Sequence, residues 1–103
     1  MMGFLANLFG FGSKVDYKEL VAKGAVIIDV RTPSEFNSGH IKNSTNIPLQ
    51  TVQGKMSKLK KDKPIITCCA SGARSGAAKR ILQANGYEVY NGGGWTSLQS
   101  KLS

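Results

Sequence analysis

The stretch "PIITCCASGARSGAAKR" (Pro64–Arg80) decides the reading of this chain. Its first six residues are an apolar, β-branched run, the signature of a strand covered on both faces. Two adjacent cysteines end that run. Four small residues, Ala70, Ser71, Gly72 and Ala73, then lead to Arg74 and a helix-forming segment. A buried strand that opens into a small-residue loop and a helix is the unit from which parallel α/β sheets are made.

Outward from this unit the same alternation continues. "VDYKELVAKG" (Val15–Gly24) reads as a short helix, with Val15, Leu20 and Val21 as its apolar side and Gly24 as its stop. "AVIIDV" (Ala25–Val30) is another continuous apolar strand. "TPSEF" (Thr32–Phe36) offers Thr32 as N-cap, Pro33 at the first helical position and Glu35 to close a capping box. "STNIPL" (Ser44–Leu49) reads as a short strand, and the chain from about 51 to 59 as helical. "RSGAAKRILQANG" (Arg74–Gly86) is a helix, with Ala78, Ile81 and Leu82 facing inward. "YEVYN" (Tyr87–Asn91) is a further strand. "GGGWTSLQSKL" (Gly92–Leu102) reads as a glycine turn before a closing helix. The pattern predicts an α/β fold with a mainly parallel sheet and helices on both faces.

The chain has 103 residues, room for one domain. With 41% hydrophobic and 19% charged residues it has the balance of a folded globular protein. No apolar run approaches the roughly 20 residues that span a bilayer. Residues 1–14 read as an N-terminal apolar arm or short helix, and 15–103 as the domain. In "MMGFLANLFGFG" (Met1–Gly12) no basic residue precedes Lys14 and no small-residue cleavage site is clear, so a secretory signal is disfavoured. Its apolar residues recur near helical spacing and suit an arm on the body of the protein, with shallow membrane association as the alternative.

Fourteen Lys and Arg against six Asp and Glu give a formal charge of +8, and "GKMSKLKKDK" (Gly54–Lys63) holds five of the lysines. This favours encounters with anions. Aromatic residues do not interleave with the lysines as a nucleic-acid stacking platform requires, so the lysine run reads as a solvated face. The two cysteines are sequence neighbours, close no loop and cannot staple the fold. Their use fits a reducing compartment, and the chain is expected to be a cytoplasmic monomer without an integral membrane segment.

Chemistry is expected at the carboxyl end of the "PIITCC" strand, where open α/β sheets bind ligands. Backbone N–H groups turned inward by the small loop residues form an anion nest, and the following helix adds the positive end of its dipole. Gly72 supplies the positive φ such a turn needs. A cysteine at the base of this cup has its pKa lowered. Arg74 adds a planar bidentate donor at the rim. Because strand side chains alternate, Cys68 and Cys69 cannot both face the cup. Counted from Cys69 the spacing is C-x4-R. Counted from Cys68 it is C-x5-R, the spacing of cysteine-dependent phosphatases.

The chain resembles the single-domain rhodanese-like sulfurtransferases. The resemblance runs from about residue 15 to 98 and rests on "IIDVRTPSEFNSGHIKNSTNIP" (Ile27–Pro48), "CCASGARSGAAKRILQANGY" (Cys68–Tyr87) and "VYNGGGW" (Val89–Trp95). In that family the site pattern is C-x-x-G-x-R-S, which only Cys69 satisfies, with Gly72, Arg74 and Ser75. The resemblance implies a rhodanese fold, α/β with a mainly parallel sheet of about five strands and helices on both faces, and a Cys69 nucleophile that takes sulfane sulfur from a small anionic donor such as thiosulfate. It passes the sulfur to a thiol or cyanide, or exchanges it with a protein persulfide partner, without a cofactor, metal or nucleic acid. Ala70, Ser71, Gly72, Ala73 and Arg74 are the implied substrate-binding loop. Asp29, Arg31, His40, Ser75 and Trp95 are implied as structural support. The first loop position often carries Arg or Lys in this family and is Ala70 here, so the rim keeps one cation where two are common. The rival readings are a phosphatase or arsenate reductase using Cys68, and a non-catalytic binding module.

Overall fold

The computed structural model describes residues 15–103. The elements follow the expected alternation: helix α1 (Tyr17–Ala22), strand β1 (Val26–Asp29), α2 (Pro33–Ser38), β2 (Thr45–Asn46), α3 (Val52–Lys55), β3 (Ile65–Cys69), α4 (Ala73–Ala84), β4 (Val89–Gly94) and α5 (Trp95–Leu102). Short 3₁₀ turns at Leu49–Thr51 and Met56–Lys58 flank α3, so the expected single helix over this stretch is a series of turns. The expected arm at residues 1–14 lies outside the described residues.

The strands form one sheet in the order β2-β1-β3-β4, and every neighbouring pair is parallel. Among the described residues the sheet has four strands, not the expected five. Four segments carry the β-branched pattern, and the chain between them is taken up by helices and turns. All the carboxyl ends therefore lie along one edge, where Asp29 pairs with Cys68 in register and Cys69 with Gly94.

Alternation along β1 and β3 divides the core in two. Ile28, Val30, Ile65 and Cys69 leave one face and pack with Val52, Ala78, Leu82, Tyr87 and Val89. Ile27, Ile66 and Cys68 leave the other and pack with Ile41 and Leu98, flanked by Tyr17, Leu20, Trp95 and Leu102. Both faces of β3 are covered, which is why all five of its residues are buried.

Two local expectations change. Val15 and Val21 are exposed, and α1 instead turns Tyr17 and Leu20 to the second core. A spacing of three along a helix sets both on one side, and Val21 lies off that side. The glycine run does not turn. It continues β4 as far as Gly94, and α5 starts at once. Gly93 takes a positive φ of 81°, and Gly92 and Gly94 are glycines because neighbouring atoms come close. A Cβ at Gly92 would lie 2.8 Å from Leu98 Cδ2 and 2.9 Å from the Thr67 carbonyl oxygen. A Cβ at Gly94 would lie 2.8 Å from the Ala70 carbonyl oxygen.

Candidate active site

Cys69 is the last residue of β3, and its side chain leaves on the face that α4 covers. Gly72 follows at φ 111° and caps α4, which begins at Ala73. That left-handed turn swings the chain back over the sulfur. The Gly72 amide donates to Cys69 Sγ at 3.0 Å and the Ser75 amide at 3.3 Å. The Ser75 hydroxyl lies 3.3 Å from the same sulfur. Burial alone would raise the thiol pKa. The hydroxyl of Ser75 and the amides of Ser75, Gly72 and Ser71 outweigh it, and the Cys69 pKa is lowered.

Cys68 has the opposite surroundings. Its side chain lies wholly buried in the second core, and burial, with the neighbouring Asp29 charge, pushes its pKa up to about 12. The vicinal pair thus divides into one thiol with hydrogen-bond donors and one packed as a hydrophobe.

The loop is braced from β4. Asn91 Oδ1 accepts from the Ser75 hydroxyl at 2.6 Å and from the Gly93 amide at 2.9 Å. Asn91 Nδ2 donates to the Gly72 carbonyl at 3.2 Å. The Thr67 hydroxyl donates to the Ser75 carbonyl at 2.9 Å, inside the core. Ser75, expected as support, is thus itself in contact with the sulfur.

Arg74 does not stand free at the rim. Its guanidinium grips the Glu35 carboxylate with two hydrogen bonds, 2.7 Å and 3.0 Å. Glu35 also completes the capping box of α2, accepting from the Thr32 amide at 3.0 Å. The bond from Arg74, then that from Thr32, holds its carboxyl down to about 2. The expected bidentate donor is present, but its partner is a carboxylate of this chain.

Asp29 and Arg31 form the buried ion pair under the loop that follows β1. Arg31 Nε donates to Asp29 Oδ1 at 2.9 Å and Nη2 to Oδ2 at 2.6 Å. Nη2 also reaches the Gly39 carbonyl at 2.7 Å, and Nη1 the Glu35 carbonyl at 3.2 Å. The guanidinium lies 4.8 Å from the centroid of the Trp95 ring, which packs against the second core. His40 stacks on Phe36 at 3.7 Å between ring centroids, with Nδ1 2.7 Å from the Phe36 carbonyl oxygen. Among the described residues no group of His, Cys, Asp or Glu converges as metal ligands would, and no helix is long and apolar enough to cross a membrane.

Reading the sequence misses Asn91 and the second role of Glu35. Both sit at the carboxyl edge of the sheet, Asn91 just before the glycine run and Glu35 in the helix that follows β1. The signal was positional: a polar side chain at a strand end on that edge faces the loop. Nothing in the local sequence pairs Glu35 with Arg74, 39 residues on.

The family model described as Rhodanese-like domain matches residues 13–101. The uncharacterized protein YqhL of Bacillus subtilis is 43% identical over 68 residues, which cover 65% of this chain and 54% of that protein. Thiosulfate sulfurtransferase PspE of Escherichia coli is 39% identical over 70 residues, 65% of this chain and 67% of its own. Little more than half the length of some curated relatives is spanned by the chain. The crystal structure of a rhodanese-like domain protein from Staphylococcus aureus superposes with a TM-score of 0.71 at 32% identity, covering 81% of each chain.

Proposed function

The chain belongs to the rhodanese-like domain family, and from that premise we propose that it is a sulfurtransferase carrying sulfane sulfur on Cys69. The observation that supports this most is the pair of amides that donate to one sulfur, Gly72 at 3.0 Å and Ser75 at 3.3 Å from Cys69 Sγ. They favour the thiolate, the reactive form of cysteine.

The Cys69 thiolate attacks the outer sulfur of a donor, thiosulfate or a persulfide. A new Sγ–S bond forms as the donor S–S bond breaks, and sulfite or a thiolate leaves. The terminal sulfur of the Cys69 persulfide lies in the cup lined by Ala70, Ser71, Gly72, Ala73 and Arg74. A second nucleophile, cyanide in an assay or a thiol in a reducing compartment such as the cytoplasm, removes it. The cycle is ping-pong. Oriented amides stabilise the negative charge at each stage without moving, and this is the cup's contribution to rate. Asp29, Arg31, His40 and Trp95 hold the loops on either side of the cup. Ser75 donates to the sulfur through its amide, and its hydroxyl proton, which bonds Asn91 Oδ1 in the resting loop, can turn to the thiolate.

The phosphatase reading needs Cys68 as nucleophile. Its burial in the second core and its raised pKa speak against that role. Sulfur transfer to cyanide, measured from thiosulfate and from a persulfide donor, tests the proposal. Activity in the wild type that is lost in Cys69→Ser supports it. Phosphate-ester hydrolysis that survives Cys69→Ser and is lost in Cys68→Ala would replace it. A cellular phenotype untouched by Cys69→Ser would favour the binding module.

A further inference from the structure

Among the described residues, the two arginines beside the cup are both paired with carboxylates, so these side chains give the rim no net charge. Arg31 is buried against Asp29, and Arg74 is held by Glu35 with both oxygens engaged. The loop residues Ala70, Ser71, Gly72 and Ala73 carry none. What remains positive is the backbone: the amides of Gly72 and Ser75 and the N-terminus of the twelve-residue helix α4. That field matches one negative charge on one sulfur. The salt bridge is only about one-third exposed on each side, so an arriving anion has to compete with Glu35 for Arg74.

We propose that Glu35 sets the choice of donor, neutralising Arg74 so that the site takes sulfur from thiol-borne persulfides in preference to thiosulfate. This rests on the sulfurtransferase reading above. Thiosulfate is a dianion. When its outer sulfur meets Cys69, its sulfonate end must lie at the rim, where the one loop cation is already paired and a carboxylate stands beside it. A persulfide of a small thiol has a neutral or singly charged sulfur end and an organic remainder that needs no cation. The step balances without a further reagent. Cys69 S⁻ attacks the outer sulfur of R–S–SH, the Sγ–S bond forms, and the donor S–S bond breaks with its electron pair leaving on RS⁻. The Cys69 sulfur is oxidised to a persulfide as the R–S sulfur is reduced to a thiolate.

The test follows the rate at which the full chain gains one sulfur by intact mass, from thiosulfate and from cysteine persulfide. The wild type is expected to load faster from cysteine persulfide. Glu35→Gln keeps an oxygen to accept from the Thr32 amide and removes the negative charge that compensates Arg74. It is expected to speed thiosulfate loading about tenfold, the scale of removing one unit charge at about 6 Å from a half-solvated site. Cysteine persulfide loading is expected to change less than about twofold. Ala70→Lys, which adds a cation at an exposed loop position and leaves both partners of the salt bridge in place, is expected to shift preference in the same direction. Wild-type preference for thiosulfate, or a donor ratio unmoved in both variants, overturns the role of Glu35 and leaves sulfur transfer standing. No loading of the wild type by either donor overturns sulfur transfer itself.

Discussion

Cys68 and Cys69 are the same residue type and differ only in the face of β3 from which they leave. One packs against Ile27, Ile41, Ile66 and Leu98, and the other receives hydrogen bonds from a loop. Cys68→Ala is therefore expected to keep sulfur-transfer turnover and to lose about 1–2 kcal/mol of stability from the small cavity it leaves. Assay and urea unfolding of the same variant check both halves. Ser75 acts directly on the sulfur. Its hydroxyl and amide both lower the Cys69 pKa, and the substitution Ser75→Ala removes only the hydroxyl. With that donor gone the thiolate loses stabilisation, so the pKa rises. The rate of iodoacetamide alkylation against pH is expected to move to higher pH relative to the wild type. A purely structural role for Ser75 would lower activity without that displacement. The motif spacing brings Cys69, Gly72 and Arg74 into view, because those residues lie within one six-residue stretch of sequence. Asn91 and Glu35 act across the fold, and no short-range pattern announces such partners.

At the scale of elements, the loop between β3 and α4 is shaped from outside as much as from within. Gly94 on β4 is in register with Cys69, and a Cβ there would meet the Ala70 carbonyl oxygen at 2.8 Å. Gly94→Ala is expected to push the first residue of the loop away from the sheet and to misplace the amides aimed at Cys69. Activity should fall by about tenfold or more, while stability falls by about 1–3 kcal/mol, the usual cost of a steric insertion. Turnover measured beside thermal unfolding separates the two effects. The strands β1 and β3 were legible because a strand covered on both faces must be apolar throughout. The capping box of α2 was legible because it is a local arrangement, and the hydrogen bonds Thr32–Glu35 are formed. The glycine run was read as a turn because glycine favours turns. It serves close packing instead, and that reason appears only when Leu98 and Thr67 are placed against it.

Over the whole molecule, the ion pair of Asp29 and Arg31 ties the parts together. Asp29 ends β1, and Arg31 reaches the carbonyls of Glu35 and Gly39 and lies over Trp95 of α5. Arg31 is only 4% exposed, so a lone charge there has little water to solvate it. Asp29→Ala is expected to cost about 3–5 kcal/mol, the penalty for stranding a buried charge. Against a domain stability of about 5–15 kcal/mol this is a large share, and urea unfolding should show a much lower midpoint. The architecture was readable from the alternation of segments, and the parallel order follows from the helices between the strands. The strand count was overstated, since a count taken from a family's usual sheet exceeds what these segments supply. What the parts achieve together is a sulfur atom held among donors at the common edge of the strands. The most direct measurement is peptide mapping by mass spectrometry after exposure to a sulfane donor. One added sulfur on the Cys69 peptide, absent in Cys69→Ser and retained in Cys68→Ala, is the expected result. An added sulfur that survives Cys69→Ser on Cys68, or none on either thiol, would contradict it.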